Sequence, residues 1–559
     1  MKSKSMKSNV SPLQKARNAY QPKLPKVLAG NPSKVAVKFG KGTHAISDRE
    51  AVKKLFPNTY GQPEVSFAAG KGSASMKRVL KVAMVLSGGQ APGGHNVVAG
   101  LFDGLQKLNP RSRLIGYLGG PSGLVENKKM EITGKLLEDY RNTGGFDIIG
   151  SGRTKLETAE QFEAVVNNLL KEGISALVVV GGDDSNTNAA VLAEYFKAKN
   201  YPIRVIGCPK TIDGDLKNEQ IEVSFGFDTA TKVYSELAGN VGRDCLSAKK
   251  YWHFIKVMGR SASHIALEVA LKAHPNICLI SEEVAAHQWT LAEITGQVAK
   301  VVAERAAKKM NYGVVLVPEG LLEFIPEMKK LIGELNDLLA HNAEFEKLET
   351  AGEKIDFVHR HLGADSQKAF QSLPPSIQAQ LLADRDPHGN VQVSKIETEK
   401  LLIEAVDLKL RQWKKENTYH GKFSGQGHFF GYEGRCADPS NFDADYCYSL
   451  GFTAAYLVAA GLTGYLSSAR DLLKPAAQWR AGGIPLTMMM NMERRHGKEK
   501  PVIQKALVDL KGKPFKTFAA MRGKWAMQDD FTSPGPIQFW GPSEVADAVP
   551  ETLRLERGK

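Results

Sequence analysis

Acidic and glycine-rich clusters recur along the chain at the ends of apolar runs. Residues 181–185 read Gly-Gly-Asp-Asp-Ser, and residues 209–215 read Pro-Lys-Thr-Ile-Asp-Gly-Asp. A carboxylate in such a turn can hold Mg²⁺, which takes one or two carboxylates plus phosphate oxygens. Another can accept a proton from a sugar hydroxyl during phosphoryl transfer. Each cluster alone also fits helix capping or a tight turn, so no single cluster defines a site.

A glycine-rich turn at residues 87–94 reads Ser-Gly-Gly-Gln-Ala-Pro-Gly-Gly and precedes a helical pattern. Glycines let backbone N–H groups approach phosphate oxygens, and the following helix adds the positive end of its dipole. The sequence contains no G-x-x-x-x-G-K-[ST] motif, which excludes a Walker-type nucleotide site, and Gly89 opens no G-x-G-x-x-G motif, which disfavours a dinucleotide fold. The turn therefore predicts a phosphate site of another kind.

The elements that must position these turns are short apolar strands alternating with helical patterns. Strand-like runs occupy residues 82–86, 174–180, 251–257 and 314–317, the one at 174–180 is nearly continuously β-branched, and helical periodicity follows each turn. Strands buried on both faces and separated by helices of 10–15 residues predict parallel α/β sheets. Ligands bind at the carboxyl edge of such sheets, where these turns fall.

The charge distribution and the cysteine spacing exclude several classes of protein. The net charge is +14, but residues 1–80 carry 16 Lys/Arg and three Asp/Glu, so the rest of the chain is nearly neutral. We interpret residues 1–80 as a solvated basic arm rather than a nucleic-acid surface, which is expected on the folded domain. The five cysteines have no disulfide or zinc spacing, and no apolar run reaches the roughly 20 residues of a membrane helix. These features predict a cytoplasmic protein without nucleic-acid or membrane partners.

The motifs gain specificity from their order. S-G-G-x-x-P-G, G-G-D-D-S, P-K-T-I-D-G-D, M-G-R, P-E-G and G-Y-E-G-R follow one another between residues 87 and 435. In this ordered set the sequence closely resembles the long-form pyrophosphate-dependent phosphofructokinases over about residues 11–537. The resemblance implies reversible, Mg²⁺-dependent phosphoryl transfer from diphosphate to the 1-hydroxyl of D-fructose 6-phosphate, giving D-fructose 1,6-bisphosphate and phosphate. This is a step of glycolysis and gluconeogenesis.

The resemblance also implies roles for individual residues. Asp213 is expected to accept the proton, Asp183 to hold Mg²⁺, and Gly88, Gly89 and Arg153 to bind diphosphate. The substrate-binding residues implied by the family are Thr211, Ile212, Asp213, Lys250, Tyr251, Met258, Gly259, Arg260, Glu319, Tyr432, Glu433, Gly434 and Arg435. The family places the Lys250–Tyr251 segment at the neighbouring subunit's site, which implies a homodimer, with higher or mixed oligomers as alternatives.

Two positions are expected to select the phosphoryl donor. ATP-dependent relatives have glycine where this chain has Asp184, and a small residue where it has Lys210. A carboxylate at 184 crowds and repels the α-phosphate of ATP, whereas an ammonium at 210 suits compact diphosphate. Both residues favour diphosphate over ATP. The alternatives are an ATP-dependent phosphofructokinase and a non-catalytic regulatory subunit, and the second is disfavoured because every placed motif residue is present.

The implied fold is phosphofructokinase-like, with two Rossmann-like α/β domains, a mostly helical insertion and the N-terminal arm. We predict a donor domain at residues 81–222 and about 438–490, and a fructose 6-phosphate domain at 223–330 and 421–437. The helical insertion is expected at 331–420, and a C-terminal extension at 491–559.

Overall fold

The structure, a computed structural model, describes residues 10–339, 342–383, 391–495 and 498–558. The chain forms two compact units. Of the described residues, the first takes those in 10–230, 432–506 and 537–558, and the second takes those in 231–431 and 507–536. No described helix is long and apolar enough to cross a membrane.

The strands are β1 Val35–Gly42, β2 Pro63–Ala69, β3 Lys81–Leu86, β4 Arg113–Tyr117, β5 Lys129–Ile132, β6 Ala176–Gly181, β7 Arg204–Pro209, β8 Trp252–Val257, β9 Ile277–Cys278, β10 Gly313–Pro318, β11 Gly425–Phe430, β12 Tyr465–Arg470, β13 Arg480–Pro485, β14 Met490–Arg495 and β15 Lys498–Ile503. The helices are α1 Pro12–Asn18, α2 Lys26–Ala29, α3 Arg49–Leu55, α4 Gly94–Leu108, α5 Pro121–Glu126, α6 Gly134–Leu137, α7 Ala159–Lys171, α8 Asp183–Ala198, α9 Phe227–Ala248, α10 His264–Ala273, α11 Ser281–His287, α12 Leu291–Ala307, α13 Pro326–Leu339, α14 Ala343–Glu346, α15 Ala351–His361, α16 Ala364–Gln371, α17 Pro375–Leu382, α18 Thr398–Lys415, α19 Tyr432–Arg435, α20 Asn441–Ala459, α21 Lys513–Met527, α22 Ser543–Ala546 and α23 Glu551–Arg557.

Within the described residues, nine strands of the first unit form one mixed sheet in the order β1-β2-β13-β12-β7-β6-β3-β4-β5. Its central strands β12, β7, β6, β3 and β4 run parallel, and antiparallel strands flank them. Every residue of β6 is buried, as expected for a strand covered on both faces. The predicted parallel α/β sheet is therefore confirmed, and its carboxyl edge carries the turns after β3, β6 and β7.

The second unit contains a smaller parallel sheet in the order β11-β8-β10-β9, as far as its described residues go. All residues of β8 and β10 are buried. The M-G-R turn follows β8 and the P-E-G turn follows β10, so these two motifs lie side by side at the carboxyl edge.

Close packing of α4 against α20 fixes the helix that follows the glycine-rich turn. A Cβ at Gly451 would overlap the Val97 carbonyl, and one at Gly100 would overlap the Tyr448 carbonyl. Both helices therefore need glycine at these contacts to approach so closely. This contact holds the beginning of α4, and hence the turn before it, in one position.

The described residues 10–80, which the sequence predicted to be a solvated arm, are instead attached to the first unit. β2 pairs with β13 and β1 pairs with β2, so two of the nine strands of the large sheet come from this segment. Val35, Val65 and Phe67 are buried in this extension, and the Arg17 side chain is buried as well. The local excess of lysine and arginine obscured the apolar residues that attach residues 10–80 to the first unit.

The remaining predicted boundaries also differ from the observed units. The described residues between 331 and 420 are mostly helical, and Leu331 and Leu410 share one hydrophobic core with Trp252 of the sheet, so these residues are part of the second unit. Residues 432–437 belong to the first unit, not to the predicted sugar domain. The predicted C-terminal extension is divided, since residues 507–536 join the second unit and the flanking pieces join the first.

Candidate active site

The glycine-rich turn between β3 and α4 leaves room for a buried ammonium group. Gly88 has a φ of +86°, and its N–H donates to the Gly152 carbonyl at 2.9 Å. A Cβ built at Gly88 would lie 3.1 Å from Lys210 Nζ. A side chain here would be strained and would press on the lysine, so the turn requires glycine at this position.

Two arginines face the next glycine of the turn. A Cβ at Gly89 would lie 3.0 Å from Arg435 Nη1 and 3.5 Å from Arg153 Nη2. Arg435 Nη1 donates to the Gln90 carbonyl at 3.1 Å, which ties this guanidinium to the turn. Together with Lys210, the two arginines place three cations around adjacent glycines, and this arrangement suits an anion such as a phosphate chain.

Lys210 follows β7 and is nearly inaccessible to solvent. The backbone N–H of Lys210 donates to the Gly181 carbonyl at 2.9 Å, and this bond holds the Lys210 backbone at the carboxyl edge of the sheet. The pKa of Lys210 is lowered to about 8, first by burial and second by the charge of Arg435, against the opposing effects of Asp213 and Asp183. A bound anion would restore the environment that an ammonium group prefers.

Asp183 and Asp184 lie in the first turn of α8, directly after Gly182. Asp183 is half-buried, and Asp184 is exposed. Asp183 Oδ2 is buried and has no hydrogen-bond partner among the described residues, although Lys505 Nζ lies 3.4 Å away. In the part of the chain that the structure describes, no three His, Cys, Asp or Glu side chains form a metal-binding group. A metal here would need oxygens from a substrate.

The two carboxylates of the T-I-D-G-D turn lie in different environments. Asp213 is half-buried, its N–H donates to Thr211 Oγ1 at 3.0 Å, and its Oδ1 lies 3.9 Å from Arg435 Nη2. Asp215 is buried, and its pKa is raised to about 7 by burial and then by Asp213 and Asp183. Ile212, which lies between Thr211 and Asp213, is fully buried. Asp213 is therefore the more accessible carboxylate of the turn.

In the second unit, the M-G-R and P-E-G segments are joined by direct contacts. The Gly259 N–H donates to Glu319 Oε2 at 3.2 Å, and the Glu319 N–H donates to the Val257 carbonyl at 2.9 Å. Met258 and Glu319 are buried, whereas Arg260 is exposed. The structure thus brings these predicted substrate residues together on one sheet edge and leaves a guanidinium at its surface.

Lys250 and Tyr251 do not join that edge. They precede β8, whereas Met258 follows it, so Tyr251 and Met258 are separated by the length of the strand, about 20 Å. Lys250 is exposed, and its Nζ lies 5.0 Å from the Tyr251 ring centroid. Within one chain, this pair is remote from the sugar-binding segment of its own unit.

The Y-E-G-R segment forms α19 in the first unit. Tyr432 and Glu433 are exposed, and Gly434 is buried. Arg435 points to the glycine-rich turn and to Asp213, as described above. The contacts of Arg435 within the first unit are therefore with the glycine-rich turn and the acidic turn, which the sequence did not indicate.

Two residues at this site were given no role by the sequence. Asp215 carried a signal, because it lies in the same acidic turn as Asp213. Lys505 carried none, since it follows the β14–β15 ribbon in the segment that was interpreted as a C-terminal extension. Only the fold brings Lys505 beside Asp183.

The phosphofructokinase family profile matches residues 81–360. The chain belongs to the phosphofructokinase family, whose phosphotransferases generally use a divalent metal. A relative from Porphyromonas gingivalis, 56% identical over 98% of this chain and 99% of its own, is named pyrophosphate–fructose 6-phosphate 1-phosphotransferase. A relative of the same name from Treponema pallidum is also 56% identical, over 98% of this chain and 97% of its own.

The fold has a counterpart among solved structures. One is the crystal structure of pyrophosphate-dependent phosphofructokinase from Marinobacter aquaeolei. The superposition covers 81% of this chain and 93% of the Marinobacter chain, with a TM-score of 0.54 at 16% identity. At this identity the likeness concerns the fold alone, and it agrees with the predicted phosphofructokinase-like architecture.

Proposed function

We propose that this chain is a reversible phosphotransferase that moves a phosphoryl group from diphosphate to the 1-hydroxyl of D-fructose 6-phosphate. The observation that carries the proposal is the group of cations, Lys210, Arg153 and Arg435, around Gly88 and Gly89. The names of the relatives supply the two substrates. The products are D-fructose 1,6-bisphosphate and phosphate.

Diphosphate binds at the glycine-rich turn in this proposal. The backbone of Gly88 and Gly89 approaches the phosphate oxygens, and Arg153 and Lys210 neutralise their charge. Because Lys210 is buried, its attraction to the anion is poorly screened by water. The ammonium also stabilises the charge that develops on the departing phosphate.

Asp213 is the proton acceptor. The C1 oxygen of the sugar attacks the terminal phosphorus while its proton passes to an Asp213 oxygen. The bond to the bridging oxygen breaks, and its electron pair leaves with phosphate. Asp213 Oδ1 has no hydrogen-bond partner among the described residues, which suits a carboxylate that receives a proton from a substrate.

The residues at the beginning of α8 fit a divalent metal, and we propose Mg²⁺. Asp183 offers a buried oxygen without a hydrogen-bond partner in the described structure, and Mg²⁺ commonly takes one or two carboxylates plus phosphate oxygens. The ion would supply charge neutralisation on the diphosphate. Asp183 is the residue that would hold it.

The sugar phosphate is expected to contact the exposed Arg260 and the segments around it. The proposed sugar-binding residues are Thr211, Ile212, Met258, Gly259, Arg260, Glu319, Tyr432, Glu433, Gly434 and Arg435. Lys250 and Tyr251 lie at the far end of β8 from Met258, which supports the proposal that they serve a neighbouring subunit in a homodimer. The free state of all five cysteines, which lie in the described ranges, supports a reducing, cytoplasmic location.

A coupled assay of the purified protein with fructose 6-phosphate tests the proposal. Turnover is compared with diphosphate and with ATP at equal Mg²⁺. We expect turnover with diphosphate and much less with ATP. Efficient use of ATP would replace the proposal with an ATP-dependent kinase, and no turnover with either donor would favour a regulatory chain.

A further inference from the structure

The segment that follows β15 is anchored beside the donor site. The Ile503 N–H donates to Thr187 Oγ1 at 3.1 Å, on the first turns of α8. The Ala506 N–H donates to the Asp215 carbonyl at 2.7 Å, in the acidic turn. The backbone on either side of Lys505 is therefore attached to the two segments that carry Asp183 and Asp213.

The Lys505 ammonium lies near Asp183 without a close hydrogen bond to it. The distance from Nζ to Asp183 Oδ2 is 3.4 Å, whereas charge-assisted N–H···O bonds measure about 2.7–2.9 Å. Asp183 begins α8, and a cation at the beginning of a helix is opposed by the helix dipole. The dipole of α8 therefore opposes a lysine at this position, and the carboxylates that attract its charge are those of Asp183 and Asp215.

We propose that Lys505 binds the diphosphate. This inference rests on the proposed function and adds a fourth cation to its donor site. Lys210 and Arg153 approach the diphosphate from the glycine-rich turn, and Lys505 approaches from the side of Asp183. An anion between them offsets both the mutual repulsion of the cations and the dipole of α8. Lys505 therefore contributes to affinity for the donor and not to binding of the sugar.

Three variants test this role. Lys505→Met and Lys505→Gln remove the charge, and Lys505→Arg retains it. Lys500→Met is the matched control, because Lys500 lies on β15 and pairs with Glu157 at 3.0 Å. The measurements are kcat, the KM of each substrate, and the Kd of methylenediphosphonate with Mg²⁺ by calorimetry. Circular dichroism shows whether each variant is folded.

We expect the two neutral variants to raise the KM of diphosphate and the Kd of methylenediphosphonate by about 10- to 100-fold. The KM of fructose 6-phosphate should change little, and Lys505→Arg should recover most of the affinity. Lys500→Met should resemble the wild type.

An unchanged Kd in a folded neutral variant would overturn the role of Lys505, as would an equal rise in the KM of both substrates. Absence of diphosphate-dependent turnover in the wild type would instead refute the proposed function, and the calorimetric comparison would still decide whether Lys505 binds the anion.

Discussion

Arg435 Nη2 lies 3.9 Å from Asp213 Oδ1, while Nη1 of the same guanidinium donates to the carbonyl of Gln90. One arginine therefore connects the glycine-rich turn with the acidic turn that carries the proposed base. In the proposed mechanism the turn holds the donor and Asp213 faces the acceptor hydroxyl, so the charge of Arg435 would lie where the phosphoryl group passes between them. This relationship places Arg435 in the proposed donor site as well as the proposed sugar site.

Asp213→Asn should abolish most turnover. The amide cannot accept the hydroxyl proton, so we expect kcat to fall roughly 10²–10⁴-fold while the KM of both substrates changes little. Steady-state kinetics in the forward direction measure the loss. Asp356→Asn, an exposed change on α15, is the control and should retain full activity. Near-normal turnover of Asp213→Asn would exclude it as the base.

Asp184→Gly should shift donor preference towards ATP. The exposed carboxylate follows the proposed metal ligand Asp183, where it would obstruct and repel the α-phosphate of ATP. Removing it should raise kcat/KM for ATP from undetectable to measurable and lower kcat/KM for diphosphate. Lys210→Met should damage diphosphate turnover without admitting ATP, because Asp184 remains.

Asp184→Asn separates the two causes of this selectivity, since it removes the charge and keeps the volume. ATP use in Asp184→Asn would assign the barrier to repulsion, and its absence would assign it to crowding. If Asp184→Gly leaves the ratio of kcat/KM for the two donors unchanged, Asp184 does not select the donor.

Mixing two inactive chains should restore activity if Tyr251 serves a neighbouring subunit. Tyr251→Ala and Asp213→Asn each impair turnover alone, but a mixed dimer contains one site with both native residues. Activity should reappear after subunit exchange and should be measured against each variant incubated by itself. A fully active monomer in sedimentation at assay dilution would contradict the shared site.

Arg17→Ala should destabilise the first unit. The buried guanidinium donates to Asn441 Oδ1 at 2.8 Å and lies 4.2 Å from the Phe539 ring centroid, so its loss leaves a polar partner unpaired. We expect roughly 2–3 kcal/mol lower free energy of unfolding, measured by urea denaturation. Lys15→Ala, exposed on the same helix, should change it by less than about 0.5 kcal/mol. Equal effects of the two changes would show that residues 10–18 do not anchor to the unit.

The sequence was informative about the local parts of the site. Apolar runs followed by glycine or aspartate mark strand ends, and parallel strands bring such ends to one sheet edge. This reasoning located Gly88, Asp183, Lys210 and Asp213, which the structure brings to the same edge of the first unit. It also located Met258 and Glu319 together in the second unit.

Other features depended on contacts between distant segments. Three such features have no local signature: the pairing of β2 with β13, the core that Leu331 and Leu410 share with Trp252, and the approach of Lys505 to Asp183. Strand partners and helix contacts are selected by complementary surfaces that belong to different parts of the chain. A sequence pattern predicts the secondary structure of its own segment and not the segment against which it packs. The residue types and their turns could therefore be predicted from the sequence, whereas the membership of each unit and the position of Lys505 beside Asp183 followed only from tertiary packing.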